Sequence, residues 1–224
     1  MSSTKGKNEF IIWGGTGNAK VVNEIIELRG KKVVAIFDNN KERTTPLKQV
    51  PIYYEQQGFL NWLSENGHEY EFIVAIGGGY GKDRCNIHEF LKSCKLKPAI
   101  ITHPSAQISE SSAIGEGTQI FMNVSISVEA QIGKACVINT SASIDHECEL
   151  GDGVFVGPGA RLAGLVNVGN YADIYTGAII LPRIRIGEFA VIGAGAVVLE
   201  DVPHNAVVVG NPGRIIRYRD KNND

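Results

Sequence analysis

Sixteen branched aliphatic residues recur six apart without a break: Ile108, Ile114, Ile120, Ile126, Ile132, Ile138, Ile144, Leu150, Val156, Leu162, Val168, Ile174, Ile180, Ile186, Ile192 and Val198. The position two before each is usually small, as at Ala106, Ser112, Thr118, Ala130, Ala142, Ala160, Ala172, Ala178, Ala190 and Ala196. A helix repeats every 3.6 residues and a strand every 2, so neither sustains a period of six. A solenoid whose flat faces each use one hexapeptide does. Large and small inward positions then alternate down a stacked core.

A second period lies on the first. Gly115, Gly133, Gly151, Gly169 and Gly187 each follow an aliphatic position and stand 18 apart, which is three hexapeptides. One coil is therefore a three-sided prism with a short parallel strand on each face. The glycine column marks a corner, where the chain is expected to turn with backbone angles that a side chain would oppose. With coils spaced by roughly 4.8 Å, about five of them make a column on the order of 25 Å tall.

Before the repeats the pattern changes. Residues 10–13 read as an apolar strand, Gly14-Gly15-Thr16-Gly17 as a tight turn, and 18–28 as a helix through Val21, Val22, Ile25, Ile26 and Leu28. A strand over 33–37 ends at Asp38-Asn39-Asn40, and a helix around 59–65 precedes a strand over 72–76 that runs into Gly77-Gly78-Gly79. A helix over 83–93 and a strand over 97–102 follow. This alternation predicts a small Rossmann-like parallel α/β sheet with ligand loops at the strand C-termini. His103-Pro104 reads as the boundary, giving an α/β domain over 1–103 and a β-helical domain over 104–224. Its repeats span about 105–203, and an end cap over 207–217 precedes a charged tail expected to fray.

Composition narrows the classes. A chain of 224 residues with 43% hydrophobic content can bury a sizeable core, and its formal charge of −2 gives no basic surplus for nucleic acid or an anionic membrane. No segment reads as a signal peptide or approaches the roughly 20 apolar residues of a membrane span, so a cytoplasmic location is expected. Cys85, Cys94, Cys136 and Cys148 have no CxxC spacing. The last two fall in the small inward slot and read as reduced core residues.

Two regions carry candidate chemistry. The turn from Gly14 to Gly17 opens a helix, where backbone N–H groups can hold a phosphate, and Asp38 can accept hydrogen bonds from ribose hydroxyls. The dinucleotide fingerprint is incomplete, because Lys20 stands where its last glycine belongs. A nucleotide ligand fits this loop better than a nicotinamide cofactor, and Gly77-Gly78-Gly79 points into the same crevice. On the solenoid, His146 is the one histidine inside the uninterrupted repeat, and it stands outside both inward slots. An exposed imidazole suits a general base at neutral pH, with Glu147 to orient it. One coil further, 18 residues on, is Gly164. A slot opens there beside the base, with a backbone N–H available to an oxyanion.

The chain resembles the hexapeptide-repeat sugar acyltransferases of the sialic acid O-acetyltransferase type, and most of all the bacterial N-acetyltransferases of nucleotide-linked amino sugars. Its matching stretches are the opening Gly turn with Ala19-Lys20-Val21-Val22, Phe37-Asp38, Ala75-Ile76-Gly77, His103 to Ala106, Asn139 to Glu147, Gly157 to Gly164 and Val209-Gly210-Asn211-Pro212. The resemblance implies a left-handed β-helix, assembled as a homotrimer, with acetyl-CoA lying between neighbouring prisms. It implies that the first domain holds a UDP-type amino sugar whose amine attacks the thioester directly, for bacterial surface polysaccharide synthesis, with no metal. By position, His146 would be the base and Glu147 its tuner, and Gly164 would meet the acetyl oxygen. Asn139, Phe155, Thr176 and Ala194 would contact acetyl-CoA, and Thr16, Gly17, Asn18, Asp38, Asn39 and Gly77 the nucleotide sugar. Asn18 and Phe155 stand where relatives often carry His. The competing readings are a sugar O-acetyltransferase on the same fold, a metal enzyme with three His ligands, and a non-catalytic trimeric scaffold.

Overall fold

The computed structural model describes residues 8–219; the N-terminal stub and the end of the charged tail lie outside the described residues. The first unit runs β1 (Glu9–Trp13), α1 (Gly17–Leu28), β2 (Lys32–Asp38), β3 (Ile52–Tyr54), α2 (Glu55–Asn66), β4 (Glu71–Val74), α3 (Gly81–Ser93) and β5 (Lys97–Pro98). Its sheet has the order β3-β2-β1-β4-β5, parallel throughout. The strand order reverses at β1 and β4, so a crevice opens beyond their C-terminal ends. Alternation along β1 sorts the two sides of the sheet. Phe10 and Ile12 face α1, which buries Ala19, Val22, Ile25 and Ile26. Ile11 and Trp13 face the other side, with Phe59 and Trp62 of α2 and Leu91 of α3. The short edge strand β3 is absent from the sequence reading, since its three residues show no alternation.

The strand expected over 97–102 divides. Lys97–Pro98 pairs with β4, whereas β6 (Ile101–Thr102) pairs with Gln119–Ile120 of the prism. The first coil thus begins before Pro104.

From there the expected winding is present, and it is a left-handed parallel β-helix. The first face stacks β6, Gln119–Ile120, Val137–Ile138, Phe155–Val156, Asp173–Ile174 and Val191–Ile192. The second stacks Gln107–Ile108, Ser125–Ile126, Ser143–Ile144, Arg161–Leu162, Ile179–Ile180 and Val197–Val198. The third stacks Ala113–Ile114, Gln131–Ile132, Glu149–Leu150, Asn167–Val168 and Arg185–Ile186. Each strand pairs in parallel with the one 18 residues on, as Val137 with Phe155 and Ser143 with Arg161. The second residue of each pair points inward and, with the small residues including Cys136 and Cys148, makes one continuous core. Ala206–Val209 continues the first face and pairs antiparallel with Arg214–Tyr218, closing that end of the prism.

The glycine column has a different cause from the expected one. Gly133 lacks a left-handed backbone, and the positive φ falls at positions two further on, every sixth residue, at Asn123, Glu129, Ala135, Ser141, Glu147, Gly153 and onward. At Gly115 and Gly133 the constraint is space. A Cβ on Gly133 would stand 2.5 Å from the backbone of Gly151 in the next coil. Coils approach too closely at this corner for any side chain.

The α/β unit packs on the first face. Phe121, Val137 and Phe155 share a buried cluster with Phe10, Ile12 and the inner side of α1. No helix among the described residues is long and apolar enough to cross a membrane.

Candidate active site

The crevice at the strand-order reversal holds a cavity of about 550 Å³. Thr16, Asp38, Asn39 and Gly77 line it, joined by Arg43, Tyr80, Asp83 and Asn86. These last four sit on the loop after β2 and at the start of α3, where no periodicity singles them out. Gly17 and Asn18 are not among the lining residues. Gly17 is exposed at the start of α1, and the Asn18 amide donates to Gln119 Oε1 of the first face at 3.1 Å.

Asp38 has a local task that the sequence does not announce. Its Oδ2 accepts the Gly15 N–H at 2.6 Å, and its Oδ1 accepts the Asn40 N–H at 2.8 Å. The Gly15 N–H expected to face a phosphate is thus already held by a carboxylate. Gly14 donates to the Phe37 carbonyl at 2.7 Å and has φ +113, and a Cβ there would strike the Ala75 carbonyl oxygen at 2.6 Å. The opening turn is therefore shaped by its neighbours β2 and β4.

His146 occupies the edge between the second and third faces, following Ser143–Ile144. Its N–H donates to Asp145 Oδ1 at 2.8 Å, and Glu147 takes the left-handed corner position with φ 56. The Glu147 Oε2 lies 2.9 Å from His146 Nδ1. A carboxylate there favours the proton on Nδ1, leaving Nε2 as a free lone pair. That Nε2 leans over Gly164, whose added Cβ would stand 2.6 Å from His146 Cε1. Ala163 and Leu165 donate their N–H groups to the carbonyls of Ile180 and His146, whereas the Gly164 N–H makes no backbone hydrogen bond among the described residues. An exposed imidazole nitrogen and an N–H donor without a backbone partner are thus adjacent.

Asn139, Thr176 and Ala194 lie along the opposite edge of the second face, after Val137–Ile138, Asp173–Ile174 and Val191–Ile192. Thr176 and Ala194 are exposed, and Asn139 Oδ1 accepts the Thr140 N–H at 2.8 Å. Between the two edges is a shallow cavity of about 360 Å³ whose lining includes Ser125, Ser143, Asp145, Arg161 and Ile179. Phe155 is not with them, which corrects its expected place in the cofactor channel. It points out from the first face, which the α/β unit covers, and is 7% exposed. A Cβ on Gly78 would stand 2.8 Å from its ring.

Away from these regions, donor atoms of His88, Glu89 and Glu116 gather within 4.8 Å of one another. Lys92 is ion-paired with Glu116, and Lys134 with Glu89 at 2.7 Å. The carboxylates are already matched by cations, so the cluster is an ion-pair network.

Burial removes Cys85, Cys136 and Cys148 from the chemistry. Desolvation pushes the Cys85 thiol up to about 11 and the Cys136 thiol to about 12. The Cys148 thiol is raised for the same reason.

Comparison with known proteins agrees with this geometry. Residues 9–89 match the PglD N-terminal domain, and residues 129–164 match the bacterial transferase hexapeptide (six repeats). PerB from Caulobacter crescentus, solved with CoA and GDP-perosamine, is 34% identical over 93% of this chain and 97% of its own, with a TM-score of 0.85. The acetyltransferase domain of PglB from Neisseria gonorrhoeae, solved with acetyl coenzyme A, is 28% identical over 94% of this chain and 100% of its own, with a TM-score of 0.83. WeeI from Acinetobacter baumannii is 26% identical over 92% and 99%, with a TM-score of 0.83. A comparison with curated proteins finds no match. With this coverage and identity, the chain belongs to the hexapeptide-repeat sugar N-acetyltransferases, enzymes that take the acetyl group from acetyl-CoA.

Proposed function

We propose that the protein transfers the acetyl group of acetyl-CoA to the amine of a nucleoside-diphosphate-linked amino-deoxy sugar, by direct attack of the amine on the thioester. The observation that carries this reading is the stacking of His146 over Gly164 with Glu147 on Nδ1. His146 Nε2 takes the amine proton as the new C–N bond forms, and Glu147 holds the ring and balances the imidazolium. The Gly164 N–H meets the thioester oxygen as it gains charge. The proton then passes to the departing CoA thiolate. No nucleophilic side chain is required.

In this reading the α/β domain binds the nucleotide sugar in the 550 Å³ crevice, through Thr16, Asp38, Asn39 and Gly77. The prism takes acetyl-CoA along its second face, between Asn139, Thr176 and Ala194 on one edge and His146 on the other. Asn18 acts from behind the crevice, since its amide reaches Gln119 of the prism instead.

The topology supports the reading of a homotrimer. The crevice belongs to the unit that covers the first face, and His146 projects from the edge opposite that face. One chain therefore turns its base away from its own crevice, and a second copy brings the two together. Three prisms around an axis close such a head-to-tail contact into a ring. We place the reaction in the cytoplasm, where acetyl-CoA and nucleotide sugars meet, and in the supply of sugars for surface polysaccharide.

The resemblance favours a UDP-linked sugar, while PerB was solved with GDP-perosamine. The test is turnover of acetyl-CoA against UDP-, GDP- and dTDP-linked amino sugars, followed by mild alkali on the product. An alkali-stable amide on one nucleotide series is expected. An alkali-labile ester would assign O-acetylation instead, and no turnover with any amino sugar would sink the proposal.

A further inference from the structure

We propose that Arg84 is a positioning residue for the nucleotide-sugar crevice: its buried guanidinium fastens the Ile76 and Gly77 carbonyls of the crevice wall to two coils of the prism. This inference rests on the reading of the crevice as the nucleotide-sugar site. Arg84 is fully buried on α3. Its Nη1 donates to the carbonyls of Gly77 at 2.9 Å and Ile76 at 3.2 Å. Its Nε donates to Ala135 at 2.6 Å and its Nη2 to Gly153 at 2.6 Å, both at the corner between the third and first faces. All four acceptors are backbone carbonyls, two from each body, and no carboxylate takes part.

An apolar side chain would hold α3 in place as well, and Cys85 and Leu91 already bury that helix. What a guanidinium adds is a rigid fork of five donors that fixes several acceptors at once. The Ile76 and Gly77 carbonyls lie just beyond the end of β4, where three glycines follow Ile76. Gly77, Gly78 and Gly79 have the widest conformational freedom of any residues, so a loop built of them needs external restraint to keep one shape. Each part of it is restrained, either directly by the prism or through Arg84, which the prism holds. Arg84 holds the Gly77 carbonyl, Phe155 underlies Gly78, and Asp173 Oδ1 accepts the Gly79 N–H at 2.8 Å. Asp173 is itself buried and paired through Oδ2 with Arg219 at 2.9 Å. The prism thus presets the wall of a site that lies on the other domain, so a ligand finds it ordered.

The test is steady-state kinetics on the full-length protein with Arg84→Met, Arg84→Lys and Asp173→Ala, varying each substrate separately. The expected result is a KM for the nucleotide sugar raised about tenfold or more in Arg84→Met, in keeping with the cost of a misplaced wall. Arg84→Lys should recover part of it, and the KM for acetyl-CoA should stay within about twofold. Asp173 points outward from the prism, so Asp173→Ala spares the stacked core and should show the same split if Arg84→Met fails to fold. Variants that melt earlier yet keep both KM values, or raise both equally, would make Arg84 and Asp173 purely structural. Failure of the wild-type protein with every nucleotide sugar would instead overturn the crevice reading, and this inference with it.

Discussion

His146 stacks over Gly164 across one coil of the prism, close enough that a methyl group on Gly164 would meet the ring at Cε1, at 2.6 Å. Gly164 has no left-handed backbone, so alanine is tolerated there by the chain itself. The contact must be relieved by the imidazole, which is 45% exposed and free to swing outward. Gly164→Ala should therefore keep the fold and lower kcat by about 10- to 100-fold, because displacing a base by about 1 Å costs on that order. Stopped assays with the melting curve beside them would check it. A variant with wild-type kcat would mean that the ring does not act from this position.

The His146–Glu147 pair makes a second, sharper test. Both side chains are about half exposed, so their contact adds at most roughly 1 kcal/mol to stability. Its value lies in fixing the ring. His146→Ala should lose turnover by roughly 10² to 10⁴ without unfolding the protein. Glu147→Gln should lose less, and the double variant should be no worse than His146→Ala alone, since Glu147 acts only through the ring. Additive losses would give Glu147 a separate contact with substrate.

What the sequence discloses is set by how local each signal is. The period of six carries through to the fold because every inward residue meets its like 18 positions on, so one pattern specifies all three faces. The glycine column at Gly133 was visible but its cause was not. Residue type alone cannot separate a demand for an unusual angle from a demand for space. The actual left-handed corners include Leu165, Tyr171 and Phe189, which nothing in composition would reveal. At the crevice, Asp38 is legible as a strand-end carboxylate, whereas its grip on Gly15 depends on a neighbour 23 residues away. Arg84 reads as one more polar residue on a helix, and its partners Ala135 and Gly153 lie 51 and 69 residues distant. Phe155 alternates correctly as an outward residue. Only the docking of the α/β unit decides that its outer side is buried.

The two kinds of glycine predict two kinds of damage. Alanine at Gly133 has an acceptable backbone but pushes its Cβ to 2.5 Å from the next coil, so neighbouring coils must part. Overpacking of this kind costs about 1–3 kcal/mol. Alanine at Gly159 meets nothing within 4 Å and has only φ +65 to bear, a position that serine and alanine hold elsewhere in the prism. Its cost should be about 1 kcal/mol, near the lower end for a left-handed residue. Denaturant unfolding of both variants should rank Gly133→Ala as the more damaging. The reverse order would return the glycine column to a constraint of backbone angle.

The dependence of stability on pH should report His88. This side chain is fully buried between the two domains, with Nε2 at 3.3 Å from Glu116 Oε1 and Nδ1 without a partner among the described residues. Desolvation holds its pKa below the ordinary 6.5, against a smaller upward pull from Glu116. The unfolded chain therefore takes up a proton near that ordinary value, while the folded chain does so only at lower pH. Stability is fully present above about 6.5 and is lost as pH falls toward the folded value. Glu89 and Glu116 are held below their ordinary 4.5 by lysines, so their contribution is lost only in more acid solution. Thermal melts between pH 7.5 and 5 should show Tm falling through the upper window, and His88→Gln, which removes the titration, should flatten that fall even if its Tm at pH 7.5 is lower. An unchanged slope in His88→Gln would assign the acid sensitivity to other groups.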